Sequence, residues 1–373
     1  MRFMHRAIAP LLAIVLALLA SSPAFACSLV RSLWPGLGWL PDDSALVYVT
    51  DAGVERFDVA SGRTTLLSEP SGTYGVQEFA MSPDGTVVAH TFVGGVGPDC
   101  RGWWPTVRFV RVADGALLRR WTRLRGWFGP LLYRPDGSFL LGFAERPEGR
   151  SLGDDAAVTR VTWRHDAAGV RRGAGPYVAR GAVAPVGGRL LTWNGATLRL
   201  LETERWTPLA ERHRHSGWFD GAVWGPAGDR LASTEHRAPS AEELEEEGEH
   251  RGGEGAVVVR DGHTLAPLHR IEEPGWRPGG AAFSPDGRYL AVLSTPSVGT
   301  ERWRRGRLVL WRTAGWVEVA SVPAPRAIEV PMAWSHDGRT LAVGGYGRGE
   351  EAFEVPPPAL FSLQDLGLTG GEP

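Results

Sequence analysis

Phe283-Ser284-Pro285-Asp286-Gly287-Arg288-Tyr289-Leu290-Ala291-Val292 is the stretch that decides the fold. Pro presets the negative φ that starts a turn, and Asp-Gly tolerates the positive φ that a tight hairpin needs. The apolar run behind it reads as a strand. The pattern recurs in Met81-Ser82-Pro83-Asp84-Gly85 before TVVAH, in Tyr133-Arg134-Pro135-Asp136-Gly137 before SFLLG, and in Trp334-Ser335-His336-Asp337-Gly338 before RTLAV. Degraded copies sit at Trp39-Leu40-Pro41-Asp42-Asp43, Val183-Ala184-Pro185-Val186-Gly187 and Trp224-Gly225-Pro226-Ala227-Gly228.

The anchors stand at positions 41, 83, 135, 185, 226, 285 and 336, an uneven but persistent period. Behind each hairpin comes a second strand pair, such as RLVLWR and WVEVASV around Thr313-Ala314-Gly315, or VRFVRVA and ALLRRW around Asp114-Gly115. Strand-rich repeats of this period build a propeller, in which each unit is one four-stranded blade. The expectation is an all-β chain folded as a single β-propeller over residues 27–373. Seven blades fit the anchors best, and the degraded copies leave six or eight open. Residues 27–33 are a candidate outer strand for blade 7, because few residues follow Leu363.

The Pro-Asp-Gly hairpins resemble those of bacterial TolB-like propeller repeats, and LVLW in blade 6 resembles a WD repeat. The resemblance covers nearly all of residues 27–373. It implies the fold and says little about activity, since propellers host binding modules and enzymes alike.

Composition agrees with this reading. Gly (49) and Pro (28) make about a fifth of the 373 residues, below the level of a low-complexity chain. All 40 basic residues are Arg, which excludes a lysine phosphate-binding loop, a Schiff base or a Ser-x-x-Lys nucleophile. The formal charge of −2 gives no basic bias toward nucleic acid or a membrane surface.

The N-terminus reads as a signal peptide over residues 1–26. Arg2, His5 and Arg6 precede an apolar stretch from Ala7 to Ala20, too short for a membrane anchor, and Ala24-Phe25-Ala26 forms a cleavage signal. The expected location is periplasmic or extracellular. Cys27 would then be the first residue. Lipidation there is the minor alternative, since Ala24 and Phe25 match a lipobox poorly. Cys27 and Cys100, the two cysteines, are a candidate disulfide in an oxidising compartment.

Propeller topology separates two faces. The Pro-Asp-Gly turns lie on one. Long insertions, around residues 91–104, 144–156, 235–254, 295–306 and 345–358, fall on the other. Eight or nine residues before successive anchors stand Tyr74, Trp127, Tyr177, Trp218 and Trp276. This places an aromatic series near the channel mouth on the long-loop face, either as a ligand-binding rim or as wedges between blades. The blade 5 insertion is acidic (Glu242 to Glu249) and the blade 6 insertion basic (Arg302 to Arg307), a pair of loops suited to meeting each other.

No catalytic motif stands out. Gly149-Arg150-Ser151-Leu152-Gly153 matches G-x-S-x-G without the strand-to-helix setting an elbow needs. His213-x-His215 lacks a third ligand. No cofactor and no metal site are expected. The functional expectation is a non-enzymatic propeller that binds a protein, peptide or glycan. The alternative is a propeller hydrolase or lyase with its site at the channel mouth.

Overall fold

The computed structural model describes residues 36–50, 52–69, 76–94, 104–122, 126–145, 159–213, 217–237, 255–297, 306–324, 331–344 and 357–368. Residues 1–26, read from the sequence as a signal peptide, and Cys27, Tyr74, Cys100, residues 149–153, His215 and most of the long insertions lie outside them. The candidate closing strand, 27–33, does so too.

Seven antiparallel sheets follow one another along the chain. Blade 1 holds Leu37–Trp39, Ala45–Thr50, Gly53–Asp58 and Thr64–Ser68; blade 2 holds Val76–Met81, Val87–Gly94, Trp104–Arg111 and Leu117–Trp121. Blade 3 holds Gly126–Tyr133, Phe139–Glu145, Thr159–His165 and Arg171–Gly175; blade 4 holds Gly181–Val183, Arg189–Asn194, Thr197–Glu202 and Pro208–His213. Blade 5 holds Trp218–Trp224, Arg230–His236, Gly255–Asp261 and Pro267–Glu272; blade 6 holds Trp276–Phe283, Tyr289–Pro296, Gly306–Arg312 and Val317–Ala324. Blade 7 shows three strands among the described residues, Met332–Trp334, Thr340–Val343 and Ala359–Ser362. The described residues contain no helix.

Each Pro-Asp-Gly turn joins the first and second strands of its blade. The motif's chemistry is local. Asp84 accepts from the Ser82 hydroxyl (2.6 Å) and the Thr86 N–H (3.1 Å), and Asp337 accepts likewise from Ser335 (2.7 Å) and Arg339 (2.9 Å). These bonds, the serine hydroxyl's foremost, hold both carboxyls below the usual range. Gly85, Gly137, Gly287 and Gly338 close the turns at φ between +69° and +77°, a region that only glycine enters cheaply.

The first strands pack against one another around the axis. Second strands lie between neighbours in their own sheet and between blades on both faces, so they read as continuous apolar runs. Ala45–Thr50 is buried throughout. Fourth strands form the rim and are mostly exposed, as in Pro267–Glu272.

Tryptophans two residues before the anchors stitch blade to blade. The indole N–H of Trp224 donates to the Ala182 carbonyl of blade 4 (2.9 Å), and that of Trp334 to Ala282 of blade 6 (3.2 Å). Trp39 of blade 1 donates to Ala333 of blade 7 (2.9 Å), and both blades share a core of Trp39, Leu46 and Ala342. The ring is thus closed by the bond that repeats elsewhere within it. On the turn face, Asp43 accepts from the backbone N–H groups of His336 (2.7 Å) and Asp337 (2.9 Å) across the same junction.

Candidate functional site

The inner strands are interrupted at one recurring place. Register slips between Val76 and Glu78, Phe219 and Gly221, and Pro278 and Gly280 leave Gln77, Asp220 and Gly279 as extra residues. Each stands six positions before its anchor. Blade 3 slips beside Gly129 and Pro130, at the same depth. A bulge re-aims the side chains around it, and in blade 5 the residue it re-aims is Asp220.

Asp220 is the centre of the result. Its carboxylate accepts from the His236 imidazole on the next strand and from Arg277 of blade 6 (3.1 Å). Its backbone carbonyl accepts from Arg180, ahead of blade 4 (3.1 Å), and from the Trp193 indole of blade 4 (3.1 Å). One residue therefore ties three blades together. Burial pushes the Asp220 carboxyl above the usual range, against the pull of Arg277 and Arg180.

Glu78, beside the blade 2 bulge, belongs to the same inner belt. Burial pushes its carboxyl up to about 8; a backbone hydrogen bond from Leu131 and the charge of Arg180 offset this only in part. The belt thus runs from blade 2 to blade 6. Among the described residues, no group of three His, Cys, Asp or Glu side chains is placed to hold a metal ion.

The aromatic series takes several roles. Trp218, the first residue of blade 5, is 36% exposed and meets the His236 ring edge-on at 5.5 Å. Trp276 begins the next blade at the same level and is half-buried, with the Arg307 guanidinium 4.5 Å from its ring centre. Arg307 in turn bonds the buried Glu273 (2.8 Å). Tyr177 packs back on Gly129 of the blade 3 inner strand. Trp127 lies in that strand, and its side chain is outside the described residues. Trp218 and Trp276 are therefore brought to one rim. His213 is exposed and bonds Glu211 (2.6 Å).

The sequence reading passed over Asp220, His236, Arg277, Arg180 and Glu78. The signal it missed is polar residues five or six places before an anchor, in VQEFAM and WFDGAVW, where an inner strand is otherwise apolar.

Neither a family model nor a curated protein matches the sequence. Solved structures match by shape. Kuenenia stuttgartiensis hydrazine synthase is similar at 16% identity and a TM-score of 0.57, over 84% of this chain and 94% of that one. A chain of the mitotic checkpoint complex gives 17% identity and 0.57, over 84% and 83%. The β-propeller domain of Myceliophteria thermophila Cps50 (Swd1) gives 13% and 0.57, over 87% and 96%. At these identities the likeness establishes the β-propeller fold alone.

Among the described residues, no helix is long and apolar enough to cross a membrane.

Proposed function

We propose that this chain is an exported, non-enzymatic propeller that binds a protein partner through a peptide segment at the channel mouth of blades 4 to 6. The observation that carries the reading is the rim itself. An exposed indole, Trp218, stands beside an ordered Arg277–Asp220–His236 group and next to the Arg307–Trp276 stack. Trp and Arg held rigidly at the centre of a surface are the residue types that dominate binding energy. Two of the structural neighbours come from a checkpoint complex and a Cps50 propeller domain, a context in keeping with a protein partner.

Random-peptide selection on the purified chain tests this. Trp218→Ala is expected to weaken the selected peptides by about 2 kcal/mol or more, roughly thirtyfold, in protein that remains folded. Selected peptides that bind the variant as tightly as the parent, or a glycan array that responds where peptides do not, would contradict the reading.

A second reading, a hydrolase or lyase, is favoured by one observation. Glu78 and Asp220 are carboxyls of the inner belt held above their usual range, as acids are held in active sites. Turnover of chromogenic esters, glycosides or uronides that Glu78→Gln abolishes would carry that reading instead.

A further inference from the structure

At the channel mouth of blades 5 and 6 the Asp220 acceptors are filled, while part of the Arg277 donor set is open. The Asp220 carboxylate receives the His236 imidazole, the Arg277 guanidinium and the Trp218 indole. Its backbone carbonyl receives Arg180 and Trp193. Arg277 is held by one nitrogen. Its Nη2 lies 3.1 Å from Asp220 and 3.0 Å from His236. Nε and Nη1 meet no partner among the described residues, and the side chain is 25% exposed. A guanidinium has N–H donors at all three nitrogens and no acceptor. Here one nitrogen is fixed by the protein and the other two are open to solvent.

The balance of charge points the same way. Among the described residues, this part of the mouth sets Arg180, Arg277 and Arg307 against Asp220 and Glu273, an excess of one guanidinium. Arg307 pairs with Ser294 across the strands, and Arg277 with the adjacent Thr295, so both stand at one level of blade 6. Arg307 is taken up by Glu273 and by the face of Trp276. Arg180 donates to the Asp220 carbonyl, a neutral acceptor. Glu78, which also feels Arg180, keeps its proton up to about 8 and does not cancel the excess at neutral pH.

We propose that Arg277 receives a carboxylate of the bound peptide, either its C-terminal group or an Asp or Glu side chain. The inference rests on the peptide-binding reading above and names the group that the peptide must present. An ionised carboxylate only accepts hydrogen bonds, and it matches the planar donors of a guanidinium. Asp220 already holds Arg277 in place, so binding orders little that was free. Trp218 is bonded to the same Asp220, and its exposed indole gives the residue beside the carboxylate an apolar surface to lie on. A basic peptide group would meet a like charge and a carboxylate whose acceptors are filled.

The test uses peptides selected on the full chain. Each is made as the C-terminal acid and the C-terminal amide, and with every Asp or Glu changed in turn to Asn or Gln, which tells the two sources apart. Calorimetric titration compares the parent with Arg277→Gln and with Arg277→Lys, which keeps a cation for Asp220 should the first variant not fold. In the parent, neutralising one carboxylate should weaken binding by about tenfold or more. In Arg277→Gln the same change should cost less than about twofold, and in Arg277→Lys clearly less than in the parent. Arg339→Gln, at an exposed arginine of the turn face, should discriminate like the parent. The proposal is overturned if no neutralisation weakens binding to the parent, or if the loss is as large in both Arg277 variants. It is also overturned if acid-dependent binding arises only after the glutamates of residues 242–249 are changed to glutamine, which would give Arg277 to the chain's own insertion. Peptides that then still require Trp218 would leave the channel-mouth reading standing, whereas a selection that yields no peptide removes both.

Discussion

Arg260→Ala is expected to destabilise the propeller by about 3–5 kcal/mol, the cost of leaving a buried carboxylate without its partner. Arg260 and Glu235 are 8% and 3% exposed, on the third and second strands of blade 5. The guanidinium reaches Glu235 at 2.6 Å, the Ser233 hydroxyl at 3.2 Å and the Leu265 carbonyl at 3.0 Å. Ser233 donates to the same Glu235 oxygen (2.9 Å). The network supports the hairpin that seats Leu265 against blade 4, so its loss loosens an interblade contact as well as a strand pair. Replacing both ends, Arg260→Met with Glu235→Leu, should recover most of the loss, because a buried ion pair contributes little over an apolar pair of similar size. Urea denaturation of Arg260→Ala, of Glu235→Leu and of the double variant measures this. Single variants as stable as the parent, like ordinary surface substitutions, would contradict the burial of the pair.

The second large effect is a pH dependence. In the folded chain Glu78 holds its proton up to about 8, whereas a free glutamate loses it near 4.5. Between these values the unfolded chain sheds a proton that the folded chain keeps, so stability falls as pH rises through the window. Below about 4.5 the residue has no effect. Above about 8 the penalty is complete, and at 1.36 kcal/mol per unit it is on the order of 4–5 kcal/mol. Glu78→Gln keeps a hydrogen-bond acceptor for Leu131 and removes the titration. Its stability should match the parent near pH 4 and exceed it increasingly toward pH 9. The difference between the two proteins isolates Glu78 from every other titrating group. A difference that stays flat with pH would place Glu78 in water.

The fold was legible because turn chemistry is local. Ser82, Asp84 and Gly85 form their hairpin with each other, and four neighbouring letters are enough to see it. The Trp39, Trp224 and Trp334 series was visible for the same reason, and its role in joining blades follows from position. The belt around Asp220 was not visible, because a bulge exists only relative to a partner strand. Nothing in Trp218-Phe219-Asp220 states that Asp220 slips out of register, or that Arg277, a whole blade further on, will meet it. The aromatic series shows the limit of spacing. Tyr177, Trp218 and Trp276 share a place in the repeat, yet one packs on Gly129, one is exposed and one lies under Arg307. Spacing sets where a side chain begins; its neighbours set whether solvent reaches it.

A partner held at the channel mouth of blades 4 to 6 would shield the starts of the inner strands there. Hydrogen–deuterium exchange of the chain, free and saturated with a peptide selected on it, tests this most directly. Exchange should slow at the start of the inner strands, around residues 177–181, 218–221 and 276–280, with the outer strands unchanged. Protection confined to outer strands such as Pro208–His213 and Pro267–Glu272, with none at the inner-strand starts, would contradict it.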